Sequence, residues 1–555
     1  MSRQGSAGIF SNYAICVPNK SIPILLLAFA RGLGQCRPGM QITVHTVADE
    51  ILTLDAVPGQ TLAQALWLSG GLPAPPLCSG LGRCGRCRVR FIRHAPMPVP
   101  EDGLALGPAE LDRGWRLACR HLLHARTPDM EVELPAPPAP RRCLDAVVSG
   151  APLRLAVDLG TTSLHWRALT PDGATAAHGE ELNPQMGAGS DVMSRLATAA
   201  RPGGEARLAA LVRAALQRIV AELPGPVTEL CVAANTAMTA ILLEKDISGL
   251  TAAPYRLDYT GHTVETLAGL PPIYVPPLPS PFVGGDVSAG LIAVEERYRP
   301  GYPFLLADLG TNGEFVLAVA PNKAFLASVP LGPALEGIGL TFGDMAGPGA
   351  VTAFVLTPSG LAPTVREGAS PQRICGTGYL SLVHVLLRAG LLTPEGNFVY
   401  APSSPLGGRL ASLLTDVQHE PRLILPGGLY LTARDVEEIL KVKAAFSLAL
   451  ERLLRAAGCA AAELRHIFLA GALGEHVVPA DLERLGFLPP GAGARLICVG
   501  NSSLDGAQLL LEQPSRRDCL ERRSAGCVAL DLTADPSFTA EYMRHMRFDY
   551  DTPLP

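Results

Sequence analysis

The chain has 555 residues, 13 of them cysteine, with 17% charged residues and a formal net charge of −5. That length holds two to four domains with ample core, and the mild acidity gives no reason to expect nucleic acid or a broadly anionic surface as partner. No hydrophobic run is long enough to span a bilayer, and an odd cysteine count at irregular spacing reads as the reduced thiols of a cytoplasmic protein, not as a disulfide framework.

Residues 1–39 contain a short apolar run, Ile24 to Ala30, preceded by Lys20. It is too short and too late for a signal peptide. Met40 directly precedes the first alternating segment, so 1–39 is expected to be a disordered leader or a start placed too far upstream. Gln41 to Leu54 reads as two strands, Thr61 to Leu68 as a short helix after the Pro58-Gly59 turn, and Val89 to Ile92 as a further strand. Between them stand Cys78, Cys84 and Cys87 in the pattern C-x5-C-x2-C, with Cys119 further on. A [2Fe–2S] cluster needs four thiolates, and three from one loop can wrap it while backbone N–H groups face its sulfurs. Gly80, Gly82 and Gly85 permit the turns this requires. A zinc site would want a second close cysteine pair, and none follows. Residues 40–134 resemble a [2Fe–2S] ferredoxin domain of β-grasp fold, nearer the adrenodoxin type in the cysteine loop. Arg83 and Arg86 read as a solvated rim, or as groups that raise the cluster potential or guide an acidic partner.

Leu134 to Pro140 is a stiff proline-rich spacer, and 135–152 is expected to be a linker that lets the cluster swing. Beyond it, Leu153 to Asp158 is an apolar strand ending in an acid, followed by Gly160, Thr161 and Thr162 and then a second strand. Such a hairpin can set amides and hydroxyls around phosphates while Asp158 reaches Mg2+ or its water. The device recurs at Phe304 to Leu317, with Asp308, Gly310, Thr311 and Asn312. Two copies imply two similar lobes facing one nucleotide. His466 to Glu475 is a strand ending in small residues, where Gly471, Ala472 and Gly474 suit an adenosine lying against backbone. These elements, in this order, resemble the actin, sugar-kinase and heat-shock-chaperone ATPase superfamily. Asp286 lies where that superfamily places a helix and a carboxylate for Mg2+ or the attacking water, and it also reads as a helix N-cap. Gly376, Thr377 and Gly378 open a helix over 380–387 whose amides suit a phosphate or ribose oxygen, with a capped buried helix as the competing reading.

Further segments, Leu182 to Met186, Asp191 to Arg195, Ala234 to Met238, Gly332 to Gly337, Lys441 to Ala445 and Val499 to Asn501, are similar in order to those of the reductive activators of corrinoid proteins. The resemblance implies a multidomain chain: a ferredoxin domain (40–134), a linker (135–152) and a two-lobed α/β actin-like ATPase core (153–300 and 301–555). It implies ATP-dependent transfer of one electron from the [2Fe–2S] cluster to Co(II) of a corrinoid protein, giving Co(I). The implied cluster ligands are Cys78, Cys84, Cys87 and Cys119, with Asp158, Asp286 and Asp308 as catalytic acids. A corrinoid protein and an electron-donating ferredoxin or flavoprotein are the implied partners, and a homodimer accords with the resemblance. Leu473 and Glu475-His476 depart from the family pattern after the adenosine strand, as does Ser502 to Asp505. The histidines and Trp67, Trp115 and Trp166 read as surface or core, and Lys441 and Lys443 as the solvated face of a helix from Thr432 to Ala457. An electron injector for another low-potential enzyme, a redox-regulated small-molecule kinase and a plain electron carrier are the alternatives.

Overall fold

The computed structural model describes residues 40–550 except 138–139, 145–149, 369, 418–419 and 472–476. The expectations for 1–39, and for Ala472, Leu473, Gly474, Glu475 and His476, lie outside the described residues. Alternating side chains make β1 (Met40–His45) and β2 (Ile51–Ala56) an antiparallel pair with Ile42 opposite Leu54. Thr61 and Gln64 form a capping box that starts the helix Leu62–Trp67. With β3 (Arg88–Arg93), β4 (Trp115–Leu117) and β5 (Met130–Glu133) the sheet order is β2-β1-β5-β3-β4, and β1 and β5 run parallel. The helix lays Leu62 and Leu66 on Ile42, Val44, Val89 and Val132, giving the expected β-grasp core. Each such side chain contributes roughly 1.5–3 kcal/mol of burial.

The segment 135–152 is not wholly a linker. Past Pro140 the backbone regains its N–H groups, and Arg141–Leu144 forms β6 on the edge of the next sheet. That sheet continues with β7 (Leu153–Leu159), β8 (Ser163–Leu169), β9 (Thr175–Leu182), β10 (Val227–Ala234), β11 (Thr263–Glu265) and β12 (Ile273–Val275), in the order β11-β12-β10-β7-β8-β9-β6. The second lobe opens with β13 (Phe304–Leu309), β14 (Asn312–Ala320) and β15 (Lys323–Pro330). Two small sheets follow, β16 (Ala350–Thr357), β17 (Gly360–Val365) and β18 (Arg373–Ile374), then β19 (Leu414–Val417), β20 (Glu420–Ile424) and β21 (Tyr430–Thr432). β22 (His466–Ala470), β23 (Leu496–Gly500) and β24 (Cys527–Ala529) complete the order β23-β22-β13-β14-β15-β24.

The two large sheets share one plan. In each, a hairpin and a third antiparallel strand (β7-β8-β9, β13-β14-β15) are flanked by two parallel strands, β10 and β12 or β22 and β23. Parallel strands end together at one edge, where ligands of open α/β sheets bind. The helices Gly285–Tyr298 and Ser502–Glu512 join the lobes: Ala289 and Ile292 of one and Leu504 and Ala507 of the other share a core with Ala156 and Ala233 of the first-lobe sheet. The helix after Asn501 thus returns to the first lobe before β24 rejoins the second-lobe sheet, and 301–555 is not a lobe by itself. The helix Ala433–Ala457 starts at Thr432 as expected, but Lys443 is fully buried and donates to the carbonyls of His545 and Asp549 at 3.2 and 2.7 Å. This corrects its reading as a solvated residue; Lys441, paired with Glu437 at 2.8 Å, is the one at the surface. Among the described residues no helix is long and apolar enough to cross a membrane.

Candidate functional site: a four-thiol cradle and a nucleotide cleft

The β3–β4 ladder brings the fourth cysteine to the other three. Arg88 lies opposite Leu117, Ala118 N–H donates to the Cys87 carbonyl at 2.9 Å, and the next residue is Cys119. Its loop is pinned from behind by the fully buried Asp102, which accepts from Leu117 N–H at 2.7 Å and from the His121 ring at 2.9 Å. The sulfurs of Cys87 and Cys119 are 3.3 Å apart, and Cys78 and Cys84 form a second hydrogen-bonded pair. Backbone amides of Leu81, Arg83 and Cys84 point at the Cys78 sulfur, Arg86 N–H at Cys84 and Gly82 N–H at Cys119. The hydrogen bond from Cys84, with help from these amides, holds the Cys78 thiol down at about 5, and Cys119 is lowered by its bond from Cys87. The partner thiols, Cys84 and Cys87, are pushed up in turn, first by those same bonds and then by burial.

A cavity of about 270 Å³ opens among these four thiols, and its far wall is Met186 to Gly189 of the first lobe. The cradle is therefore seated on the core. Ser79 Oγ donates to Asp191 at 2.5 Å and accepts from Ser190 N–H at 2.8 Å. Arg86 donates to the Gly343 carbonyl, contacts that of Gly337 at 3.5 Å and pairs with Asp344 at 3.2 Å, while Arg83 meets Glu438 at 3.4 Å. Arg86 is thus not a free rim residue, whereas Arg83 stays exposed, as a rim residue would. Arg86 ties the ferredoxin domain to the second lobe, and Trp67 packs against Gly187 of the first.

The second site lies at the common edge of the two large sheets, in a cavity of about 350 Å³. Asp158, Gly160, Thr161, Thr162, Asp286, Asp308, Gly310, Thr311, Asn312, Gly376, Thr377 and Gly471 all line it. The hairpin tips meet at its floor: the Thr162 and Thr311 hydroxyls are 2.9 Å apart, and both donate to the Glu336 carboxylate, at 2.8 and 3.1 Å. Gly471, with φ +84, ends β22 where a Cβ would lie 2.6 Å from the Leu309 carbonyl. Gly378, also named from the sequence, has a packing role: a Cβ there would lie 2.3 Å from the Val351 carbonyl, so its absence seats the helix Gly376–Ala389 on β16. That helix begins at Gly376, four residues before the expected start, and places Thr377 in its first turn.

Several residues of the cleft have no individual role assigned from the sequence. Glu314 faces Asp308 across the β13–β14 ladder, and His165 faces Asp158 across β7–β8. Asn501 donates to Asp158 at 2.7 Å while capping the helix Ser502–Glu512, and Ser503 Oγ lies 3.5 Å from Asp308. Asn235 donates to Thr161 Oγ1 at 3.0 Å, and the buried Arg195 donates to the Thr161 carbonyl at 2.7 Å. Asp286 is not an N-cap, a role held by Gly284; it stands in the first turn of the helix.

The electrostatics are those of a cation-binding cleft. Burial, then the neighbouring Asp308, pushes Asp286 up to about 8; burial and Asp158 push Asp308 up to about 7. Burial with Asp286 and Asp308 lifts Glu314 well above its usual range, and one of its oxygens has no hydrogen-bond partner. Carboxylates crowded in this way keep protons until a cation replaces them. Among the described residues no three His, Cys, Asp or Glu side chains close on a single metal-ion position. A two-iron cluster takes its thiolates in pairs, and Mg2+ on a nucleotide keeps waters and needs only one or two carboxylates. The residues present fit both groups.

Comparison with known proteins accounts for most of the chain from residue 45 onward. Residues 45–124 match the 2Fe-2S iron-sulfur cluster binding domain, 153–297 the RACo middle region, and 303–553 the C-terminal domain of RACo, the ASKHA domain. The corrinoid activation enzyme RamQ of Eubacterium limosum is 27% identical over 429 residues, spanning 71% of this chain and 70% of that protein. The [Co(II) methylated amine-specific corrinoid protein] reductase of Methanosarcina barkeri is 29% identical over 286 residues, 47% of this chain and 48% of that protein. The solved structure of a reductive activator for corrinoid, iron-sulfur protein superimposes with a TM-score of 0.63 at 20% identity, covering 92% of this chain and 98% of that one, and shows the shared fold. With its cluster-binding domain, middle region and ASKHA domain in one polypeptide, the chain belongs to the RACo family of reductive activators.

Proposed function

We propose that this protein is an ATP-dependent reductive activator of a corrinoid protein. The observation that carries the reading is the joint presence, in one polypeptide, of a four-thiol cradle and an acid-lined nucleotide cleft, in a chain similar to a corrinoid activation enzyme and to a corrinoid protein reductase. Cys78, Cys84, Cys87 and Cys119 would hold the cluster, each thiol pair serving as one half of the cradle. When bound, the cluster supplies one electron at a time; the substrate cobalt passes from Co(II) to Co(I), and a ferredoxin or flavoprotein donor restores the electron. The chain's own part is to shape and bury the cradle, aim amides at the sulfurs, and present its outer edge to both partners.

In the cleft, Thr161, Thr162, Gly310, Thr311 and Asn312 hold the phosphates, and the Gly471 turn meets the adenosine. Asp308 and Asp286 would hold Mg2+ through its waters, and Asp158, steadied by Asn501, would position the attacking water. Two lobes that bind one nucleotide differently when open and closed can shift an unfavourable docking or electron-transfer equilibrium through that differential affinity.

The test is direct. Dithionite-reduced holoprotein with Mg-ATP and a Co(II) corrinoid protein should give the Co(I) absorption band, and omission of ATP should remove it. Cys84→Ser should abolish both the visible [2Fe–2S] spectrum and Co(I) formation. Failure to form Co(I) on any corrinoid partner with ATP bound rejects the proposal.

A further inference from the structure

The cradle loop is anchored at its two ends to different lobes. At one end Ser79 is bonded to Ser190 and Asp191 of the first lobe. Asp191 caps the helix Val192–Ala199, and on its first turn Arg195 reaches Gly189 and the Thr161 carbonyl, both at 2.7 Å. At the other end Arg86 holds Gly337, Gly343 and Asp344 of the second lobe. The residue before Gly337 is Glu336, whose carboxylate takes the hydroxyls of Thr162 and Thr311. Both anchors therefore lead within a few residues to a hairpin tip.

The second anchor is stiff. Gly337, at φ +73, abuts Asp344 so closely that a Cβ would lie 2.4 Å from the Asp344 amide, and one on Gly343 would lie 2.2 Å from the Gly337 carbonyl. A displacement of Glu336 passes to the carbonyls that Arg86 holds without slack to absorb it. Glu336 also stands where an anionic group is wanted. Two threonine hydroxyls and a carboxylate form the floor of the cleft, and a nucleotide phosphate needs the same hydroxyls. Carboxylate and phosphate are both anions and cannot share them without repulsion.

We propose that the loop Cys78–Cys87 is a strap across the two lobes and that Glu336 is its release. A phosphate that takes the Thr162 and Thr311 hydroxyls drives Glu336 off, the Gly337–Asp344 loop shifts, and Arg86 loses its acceptors while Ser79 stays on the first lobe. Nucleotide binding then frees one end of the cluster loop, opening its covered side to a partner. This deepens the proposed function and rests on a nucleotide occupying the cleft.

Hydrogen–deuterium exchange of residues 78–87 in the holoprotein, with and without magnesium and a non-hydrolysable ATP analogue, decides it. Exchange should rise about tenfold on binding, in the range of ordinary site-to-site coupling. Glu336→Ala should exchange fast without the analogue and change no further with it. Arg86→Ala should show the same loosened loop and, because coupling is reciprocal, bind the analogue about tenfold more tightly by calorimetry. Analogue that binds the wild type while exchange at 78–87 stays constant or slows overturns the strap and leaves the nucleotide reading intact. Analogue that does not bind at all overturns both.

Discussion

The two hairpins carry the same Asp-Leu-Gly-Thr turn on the same sheet plan, yet the residue across the ladder from the aspartate is His165 in the first and Glu314 in the second. Asp158 has a donor in Asn501 at 2.7 Å and a histidine opposite, which lowers its proton affinity against the effect of burial. Asp308 has Glu314 opposite, Asp286 nearby and, among the described residues, only the Ser503 hydroxyl at 3.5 Å. Duplication thus supplies the phosphate cradle twice, while the charge around it is divided unequally. Burial still raises Asp158 despite its donors, but the second-lobe side gathers more carboxylates with fewer donors than the first.

That asymmetry is broken most sharply by Asp308→Ala. ATP hydrolysis should fall about 10³-fold, the scale of losing a metal-orienting group in a dry site, with the visible cluster spectrum unchanged. Asp158→Asn should cost only about tenfold in turnover, near the 1.4 kcal/mol of one hydrogen bond, because Asn501 can still pair with the amide. Steady-state phosphate release on the two variants ranks them, and a larger loss at Asp158 would reverse the assignment of the two lobes.

A pH titration probes the same division without substrate. Asp286 and Asp308 are raised to about 8 and about 7 in the folded protein, against about 3.9 unfolded. The folded state therefore binds protons more tightly than the unfolded one. Stability from these groups is fully present below pH 4 and is lost as pH rises through 7 and 8, by up to about 1.4 kcal/mol per pH unit for each group. Thermal melts of metal-free, nucleotide-free protein should show Tm falling from pH 5 to 8. Asp286→Asn should flatten the fall, and Mg-nucleotide should remove most of it.

Much of this was legible in the chain because local chemistry dictated it. Cysteine spacing defined the cradle, and Asp-Leu-Gly-Thr repeated after about 150 residues defined the paired hairpins. What stayed hidden depends on partners far away in sequence. Lys443 sits at a helical position that reads as solvated, and its acceptors lie 102 and 106 residues later. Arg86 looked like a rim residue because its acceptor at Gly343 is 257 residues away. Glu314 was visible in the second hairpin, but only the strand register shows that it faces Asp308. Glu336 belongs to no motif that signals phosphate chemistry, and only the meeting of two hairpin tips gives it a role. Gly378 misled in the other direction, since a glycine for a ligand and a glycine for a close helix–strand contact look alike in sequence.

The smallest effect expected belongs to Asn501, and it bears on why the first-lobe aspartate is the better compensated one. Its side chain has two tasks: Oδ1 caps the helix Ser502–Glu512 by accepting from Leu504 N–H at 2.8 Å, and Nδ2 donates to Asp158. Loss of the cap costs about 1 kcal/mol, and loss of the donor leaves Asp158 to burial, which raises its proton affinity further. Asn501→Ala should therefore lower Tm by a few degrees and move the acid-side onset of ATP hydrolysis upward in pH, as Asp158 needs a higher pH to ionise. Asn501→Asp would keep the cap and replace the donor with a second carboxylate, so the melt should recover while the pH shift persists or grows. Recovery of both together would mean that Asn501 serves the helix alone and that Asp158 owes its ionisation to His165.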